Sequence, residues 1–591
     1  MAVESLPKRS DRPSRLPLVG AALFFACCAA FYTAGQRHAA PVIWPDACGY
    51  LSAARIMATR GVYGLNLVQL NPYTLPEAPE LDRLGWWPPL YSLVIAVAAG
   101  RGLMDAAHLV ATAGNLDLAG MLVAAAGLVA LITVASGSLP AGLLGGGLCI
   151  LSGPFLSEVP RALSEHVYLP LAAWAAVLHL LAVKRGGWRL ALGAGTLWGL
   201  ACLTRHWGVA AAVCAGGAAW MVLRGQGWRR WLPSVLLAPG MGVASWAVWT
   251  ARCLAVTGHG GGFYGTGRGD FGKQLLISLR CYLSNFCWNP SAGSAIRGLQ
   301  GLIAFQGMVI LAVSVIVTVV MYRRLRRDPE TTGLRWLLVL AVGCTLAAVL
   351  GLAFYRSAKW INHPGGRMMM EACVMTIAAL VAAAARLPAL RPPVALLGLC
   401  ILLDGALQGT ANLLLPTPEE RIADLAVLGK DTRMQELVRG RRILLMARDG
   451  VRTSGDLVGA SVYLTTASTV YWVDNERYAG ISVGAPELTS LIRRAPVDYV
   501  LAGPVYRRRI PRQPPAGDSL LDRMRAGSWG SFLEIDEEEF KILHEKLRPL
   551  PVATKEVARV GEWRLLQVIP PANPTQDPPN PGEGRKQRAG E

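Results

Sequence analysis

A long loop after the first apolar segment opens with Trp44-Pro45-Asp46-Ala47-Cys48-Gly49-Tyr50 and closes with Trp86-Trp87-Pro88-Pro89-Leu90-Tyr91. The residues from Leu90 onward are apolar again, so we predict that the next membrane span begins there and that the loop connects two spans. Ionisable groups close to the depth of a bilayer are costly, and they tend to mark a functional site. Asp46 therefore indicates a functional loop, and a solvated loop acid is the alternative. We predict that the rest of the chain is organised around this loop.

The composition places the chain among membrane proteins. Of its 591 residues, 53% are hydrophobic and 16% are charged, and the mean hydropathy is +0.36. Soluble globular chains carry about 25% charged residues, and several apolar runs here approach the roughly 20 residues that cross a bilayer. The sequence therefore predicts a polytopic membrane protein with a soluble part.

The net charge is strongly positive, with 58 Lys and Arg against 39 Asp and Glu. In a soluble protein such an excess would suggest nucleic acid as a partner. Here the basic residues gather in short loops between apolar runs, which is typical of the positive-inside bias of cytoplasmic loops. We therefore predict the lipid bilayer as a partner and no nucleic acid.

The basic clusters also predict the topology. Residues 1–15 are basic and precede the apolar run 16–34, which we interpret as an uncleaved anchor rather than a signal peptide, so that the N-terminus is cytoplasmic. Residues 101–160 must then cross the membrane an odd number of times, which gives about eleven to thirteen helices in total. The later predicted spans are 166–183, 190–204, 207–223, 231–250, 299–321, 336–355, 368–385 and 393–413. This topology predicts a multi-pass protein of the cytoplasmic (inner) membrane, with everything after residue 414 outside.

From residue 415 onward short β-like runs alternate with helical stretches. This alternation predicts a small extracytoplasmic α/β domain over 415–570, and the tail 571–591 is predicted to be disordered. The β-like runs are Ile443–Met446, Thr469–Val473, Val497–Leu501 and Trp563–Val568. The predicted fold class is thus mainly α, a helix bundle over 16–414 with its first outer loop at 35–88, followed by the α/β domain.

The groups that could carry chemistry gather at the outer face of this predicted topology. Asp46 and Glu165 are acids there, and Arg205 lies at an outer turn. The loop 356–367 adds Arg356, Lys359, His363 and Arg367. Because the positive-inside bias disfavours cations in short outer loops, these cations suggest a phosphate ligand embedded in the membrane. The alternative is that they snorkel to lipid headgroups.

Carboxylates beside phosphate-binding cations predict a type of reaction. An acid can accept a proton from an acceptor hydroxyl or amine, and cations can stabilise a phosphate leaving group. ATP and sugar nucleotides are cytoplasmic, so the donor that suits the outer face is a lipid-linked phosphosugar. A polytopic transporter or flippase, or a non-catalytic envelope-assembly protein, is the alternative function.

The order of these motifs resembles that of the GT-C glycosyltransferases, most closely the bacterial branch related to protein O-mannosyltransferases and lipid A aminoarabinose transferases. The resemblance rests on Asp46-x3-Tyr50-x3-Ala54 with Gly61 and Tyr63, then Pro88-Pro89-Leu90-Tyr91, Ser164-Glu165, Leu203-Thr204-Arg205 and Arg367. The sequence departs from the family pattern at three places. Asp46 precedes Ala47 where many members have Glu, and Gly366-Arg367-Met368 replaces the usual Arg-Tyr pair. The basic residue that some members have close before Pro-Pro is also absent, and Arg83 is the nearest substitute.

The resemblance implies a polyprenyl-phosphate sugar donor and transfer with inversion. Asp46 would act as the general base or would orient the acceptor, Glu165 would assist near the acceptor, and Arg367 with Arg205 would hold the lipid phosphate. The acceptor is a glycan, a lipid or a protein, and no cofactor is expected, although a divalent metal stays open. The predicted substrate-binding residues are Tyr50, Arg83, Trp87, Tyr91, Arg205, Arg356, Lys359, His363 and Arg367. No metal ligands are predicted.

Two further groups of residues are interpreted as structural. Asn115 and Asp117 lie within a span and are expected to form interhelical hydrogen bonds. Cys48, Cys253, Cys281 and Cys287 fall in predicted outer loops. A disulfide among them is open, whereas metal ligation is not expected, because the chain lacks CxxC and metal-type Cys/His spacing.

Overall fold

The structure is a computed structural model. It describes residues 45–70, 87–152, 163–257, 271–284, 329–359, 369–414, 427–447, 459–473, 497–503 and 553–569, together with Leu425 and a few residues between 20 and 30 and between 315 and 323. The predicted spans 16–34 and 299–321 therefore lie mostly outside the described residues.

The helices before residue 415 form the larger part of the described chain. Four described helical segments are long and apolar enough to cross a membrane, namely Ala106–Ser136, Glu165–Arg185, Trp228–Val256 and Thr332–Phe354. In chain order the helices are α1 (Pro45–Arg60), α2 (Leu90–Ala99), α3 (Ala106–Ser136), α4 (Leu139–Ile150), α5 (Glu165–Arg185), α6 (Trp188–Cys202), α7 (Trp207–Leu223), α8 (Trp228–Leu232), α9 (Ala238–Thr257), α10 (Phe271–Ser284), α11 (Thr332–Lys359), α12 (Met370–Arg386) and α13 (Arg391–Leu414). These bounds confirm the predicted polytopic helix bundle.

The bundle exposes large apolar side chains on its outside, and its helices approach closely inside. Val248, Phe354 and Leu396 are 71%, 68% and 63% exposed, and apolar side chains on the outside of such helices contact lipid. Inside the bundle, α3 and α5 approach so closely that a Cβ on Gly120 would lie 1.8 Å from the carbonyl oxygen of His166. Only glycine allows this contact, and small residues serve the same purpose at other membrane helix interfaces.

Helices α3 and α5 run parallel, and α3 begins well before α5. Gly120 of α3 meets His166 at the start of α5, and Lys184 Nζ at the end of α5 donates to the Val134 carbonyl of α3 at 3.0 Å. The residues of α3 before Gly120 therefore project about 20 Å beyond the start of α5, at 1.5 Å per residue. This projection carries the chain from the bundle into a second layer.

The apolar segment that begins at Leu90 belongs to that second layer, and the prediction that it starts a membrane span was wrong. Helix α2 has 10 residues, or about 15 Å, which is half of the roughly 30 Å that the hydrocarbon core requires. Its Tyr91 and Ile95 are fully buried in a core shared with the C-terminal sheet. Without this span, residues 101–160 need no odd number of crossings, and their described part contains the two helices α3 and α4.

The second layer contains one six-stranded sheet. Its strands are β1 (Leu67–Leu70), β2 (Arg442–Ala447), β3 (Thr469–Val473), β4 (Tyr499–Gly503), β5 (Thr554–Val560) and β6 (Trp563–Val568), in the order β1-β3-β2-β4-β6-β5. The first four strands in this order are parallel to one another. Strand β6 pairs antiparallel with β4 on one side and with β5 on the other. Two short helices, α14 (Thr432–Val438) and α15 (Ala460–Tyr463), lie between strands in the sequence. The predicted C-terminal α/β domain is confirmed.

Strand β1 comes from the first loop, although the sheet belongs otherwise to the C-terminal region. Leu67 pairs with Val470, and the register continues to Leu70 opposite Val473. Leu51 of α1 and Ile95 of α2 are buried in the same apolar core as Leu501 of β4. From the sequence we predict the loop 35–88 and the segment 415–570 as separate units. In the structure the described parts of both belong to one layer.

Candidate functional site

Helix α1 places Asp46 at one end of the second layer. The helix begins at Pro45, and Asp46 lies in its first turn. Proline is favoured at the first helical position, and a carboxylate is stabilised near the positive end of the helix dipole. Gly49 then lets the ring of Trp87 lie directly on the helix, since a Cβ there would be 2.0 Å from that ring. Asp46 therefore sits on a short, well-anchored helix.

Tyr50, one turn after Asp46, connects α1 to the membrane bundle. Its hydroxyl donates to Ser164 Oγ at 3.0 Å, and its ring lies 5.0 Å from the rings of both Trp87 and Tyr91. Tyr50 is buried. These contacts bring the two ends of the first loop to the beginning of α5.

Glu165 and Arg205 form a buried ion pair close to the Tyr50 hydroxyl. Arg205 Nη1 contacts Glu165 Oε1 and donates to Ser164 Oγ at 3.4 Å. The exposed fractions of the two side chains are 3% for Glu165 and 11% for Arg205. Arg205 lies in the turn between α6 and α7, and the same turn accepts a hydrogen bond from Leu90 N to Leu203 O at 2.9 Å. The ion pair is thus fixed by three segments that are distant in sequence.

Three charged side chains influence the pKa of the Tyr50 hydroxyl. Burial raises the pKa of Tyr50, and the negative charge of Asp46 raises it further, while Arg205 lowers it and Glu165 raises it. All three charged groups are therefore within electrostatic range of one hydroxyl. Because the pKa is raised, Tyr50 is neutral at physiological pH and acts as a hydrogen-bond donor to Ser164.

A second buried acid that the sequence reasoning missed lies near Arg205. Glu371, in the first turn of α12, accepts a hydrogen bond from the hydroxyl of Tyr168 and is within electrostatic range of Arg205. It borders a small cavity whose other walls include Trp207, Ala211 and Cys344. The available signal was a single acid inside an apolar run, which marks functional positions in membrane segments.

A third polar group supports the site from the side. Asp117 Oδ1 accepts from the hydroxyl of Tyr91 at 2.9 Å and lies 3.0 Å from His166 Nδ1. Asp117 and His166 are 0% and 1% exposed. The cluster joins α2, α3 and α5, and this contact agrees with the interhelical role predicted for Asp117. Asn115 is exposed on the same helix.

The structure brings six of the predicted site residues together, namely Asp46, Tyr50, Trp87, Tyr91, Glu165 and Arg205. Three others, Arg83, His363 and Arg367, lie outside the described residues. Arg356 and Lys359 belong to the last turns of α11, where the backbone alone is described. In the described part of the site, Arg205 is therefore the cation whose contacts are known, and the roles of the other cations stay predictions.

The described residues contain no group of three or more His, Cys, Asp or Glu side chains that could hold a metal ion. Cys48 and Cys253 are buried, and neither forms a disulfide within the described residues. The side chains of Cys281 and Cys287 are not described, so the metal and the disulfide both stay open questions.

Replacement of Tyr50 by Phe is expected to lower the free energy of unfolding by about 1 kcal/mol, because it removes one buried hydrogen bond and keeps the ring contacts. Thermal unfolding of the purified protein in detergent measures this change. Tyr63→Phe is a matched control, since its hydroxyl donates to the Trp87 carbonyl at 2.9 Å away from Ser164. We expect both variants to lose a similar amount of stability. Only Tyr50→Phe should lose turnover of the lipid-linked sugar donor that the sequence predicts. Equal turnover of the two variants would contradict a role for Tyr50 in the site.

Comparison with solved structures finds two kinds of similar protein. The apo form of the Archaeoglobus fulgidus oligosaccharyltransferase matches with a TM-score of 0.49 and 11% identity, over 84% of this chain and 70% of that chain. ArnT from Cupriavidus metallidurans bound to undecaprenyl phosphate matches with a TM-score of 0.48 and 13% identity, over 93% of this chain and 98% of that chain. No family model and no curated protein matches the sequence.

Both TM-scores lie below 0.5 and both identities are 13% or lower, so these matches carry no argument about the activity of this chain. The reaction of this chain has to be inferred from its own residues.

Proposed function

We propose that this protein is a membrane glycosyltransferase that transfers a sugar from a polyprenyl-phosphate donor to an acceptor at the outer face of the cytoplasmic membrane. The observation that supports this most is that the Tyr50 hydroxyl, one turn after Asp46, donates to Ser164 Oγ at 3.0 Å, and that Arg205 of the Glu165–Arg205 pair donates to the same oxygen at 3.4 Å. The helix that begins with an acid is thereby joined to an ion pair at the end of the membrane helices. A lipid-linked donor could present its sugar at this boundary, while its tail stays in the bilayer.

In the proposed reaction Asp46 is the general base. Its carboxylate accepts the proton of an acceptor hydroxyl or amine, and the freed oxygen or nitrogen attacks the anomeric carbon of the donor sugar. The bond between that carbon and the phosphate oxygen breaks, and polyprenyl phosphate leaves with the electron pair. A single displacement of this kind inverts the configuration at the anomeric carbon.

Arg205 is the proposed partner of the phosphate. A guanidinium carries five N–H donors, and the contacts with Glu165 and Ser164 both involve Nη1. The remaining donors can bind phosphate oxygens and stabilise the charge that develops as the donor bond breaks. Glu165 would hold Arg205 in place and would also be available to an acceptor. Arg367, predicted as a further phosphate ligand, lies outside the described residues.

The decisive experiment follows the release of free polyprenyl phosphate by the purified protein in detergent. The donors are short-chain polyprenyl phosphates carrying different sugars, and heat-denatured protein is the control. Turnover of at least one donor is the expected result. If the folded protein neither binds nor hydrolyses nor transfers from any donor, the enzyme proposal is wrong. Movement of a labelled donor across vesicles without turnover would instead favour the transporter or flippase.

A further inference from the structure

Helix α1 carries the site residues near its beginning and packs on the C-terminal region along its length. Tyr50 contacts Ser164 of the bundle, whereas Arg55 lies further along the same helix and is 4% exposed. Nine residues separate Asp46 from Arg55, which corresponds to about 14 Å of helix. Since a short helix moves as a rigid rod, any shift at Arg55 also shifts Asp46.

Arg55 holds two backbone carbonyls of different segments. Its Nε donates to the Leu103 carbonyl, in the turn between α2 and α3, at 3.2 Å. Its Nη2 donates to the Val462 carbonyl of α15 at 3.0 Å. Leu103 and Val462 belong to opposite ends of the chain, so one side chain joins the first loop to the C-terminal region.

The burial of this guanidinium is costly, and no described carboxylate forms an ion pair with it. Desolvation by burial lowers the pKa of Arg55 to about 10, so it is still charged at neutral pH. An apolar side chain would fill the same space without the cost of burying a charge. The guanidinium instead orients α1, because its planar donors fix the angle between this helix and the two carbonyls that they bind.

We propose that Arg55 is a positioning residue for the reaction, through which the C-terminal region sets the location of Asp46 over the Glu165–Arg205 pair. This inference rests on the proposed function. Arg55 itself is distant from the reacting atoms, and it acts through the orientation of α1. The C-terminal region is then a part of the catalytic geometry rather than an independent appendage.

The test compares Arg55→Met with Arg60→Met. The first variant removes the two hydrogen bonds and keeps most of the side-chain volume, and the second makes the same substitution at an exposed position of the same helix. For Arg55→Met we expect kcat to fall about 10- to 100-fold with the KM for the donor little changed, because small misplacements of a catalytic group have effects of this size. Arg60→Met should match the wild type. Arg55→Lys, which keeps the charge and can reach one carbonyl, should restore part of kcat.

A reversible crosslink separates positioning from folding. The native thiol of Cys48 on α1 lies against the side chain of Ser461 on α15. Ser461→Cys therefore offers a disulfide across the interface that Arg55 holds. In the Arg55→Met background, oxidation should raise kcat and reduction should lower it again, while Ser461→Cys in the wild-type background should respond little.

Each outcome of these measurements decides a separate point. If the wild type shows no turnover, the proposed function is wrong. If the wild type is active and Arg55→Met keeps its full kcat, the positioning role is wrong. If Arg55→Met loses activity together with its thermal stability, and neither Arg55→Lys nor the disulfide restores kcat, Arg55 is merely structural and the inference also fails.

Discussion

Replacement of Asp46 by Asn is expected to reduce the release of polyprenyl phosphate about 10²- to 10⁴-fold, the usual range for the loss of a general base. The amide has nearly the same shape as the carboxylate and cannot accept the acceptor's proton. Asp46 is half-buried at the end of α1, so the substitution should leave the fold intact. The measurement is the turnover of the best donor, with thermal unfolding of the same preparation as a check of folding.

Glu562→Gln is the matched control for this prediction, because Glu562 is an exposed acid in the turn between β5 and β6. It changes the net charge by the same amount, and we expect turnover equal to that of the wild type. Full turnover by a well-folded Asp46→Asn would exclude Asp46 as the general base. Equal losses in both variants would indicate a general effect of charge instead.

Replacement of Asp117 by Ala is expected to lower the free energy of unfolding by about 1–3 kcal/mol, the typical cost of leaving a buried hydrogen-bond donor without its partner. The substitution leaves the Tyr91 hydroxyl without the acceptor at 2.9 Å and removes the carboxylate beside His166 Nδ1. Because this cluster joins α2, α3 and α5, the substitution should destabilise the packing of all three helices. Thermal or denaturant unfolding in detergent gives the difference.

Asn115→Ala is the control for Asp117, since Asn115 lies two residues earlier on the same helix and is exposed. Substitutions at such positions usually change stability by no more than about 0.5 kcal/mol. Asp117→Asn should fall between the two, because its amide oxygen can still accept from Tyr91. A loss of less than about 1 kcal/mol in Asp117→Ala would show that the cluster is not important for stability.

The membrane part was largely predictable because its signal is local. The predicted spans 190–204 and 207–223 correspond to α6 (Trp188–Cys202) and α7 (Trp207–Leu223), since hydropathy and basic loop residues act over short stretches of sequence. Helix α2 shows where this signal stops. Hydropathy records that Tyr91 and Ile95 avoid water, and it does not distinguish a core under a sheet from a lipid tail.

The sheet was also predictable only in part. Strands β3 and β6 lie where their β-branched and aromatic runs predict them, over Thr469–Val473 and Trp563–Val568. Strand β1 is four residues long, and its partner lies in a distant part of the chain. No local pattern indicates such a pairing, so the union of the first loop with the C-terminal region became visible only in three dimensions.

The candidate site was predicted in its members and not in its geometry. Asp46, Glu165 and Arg205 were singled out as ionisable residues near the membrane boundary, which is a statement about cost and needs no contacts. That Glu165 would pair with Arg205 depends on how α5 approaches the turn after α6. Glu371 gave a comparable signal as a single acid in an apolar run, but nothing in the sequence indicates its contact with Tyr168.

The position of β1 also determines when the second layer can be completed during synthesis of the chain. Asn66, which directly precedes β1, bonds to Ala467 across 401 residues of sequence. At roughly 5–20 residues per second, a ribosome needs on the order of 20–80 s to make that interval. During this time most of the membrane helices can insert, while the loop that carries Asp46 waits without its sheet. The layer around Asp46 is therefore completed after the described membrane helices have been made, and a nascent or truncated chain that lacks β3 holds those helices without the strand that pairs with β1.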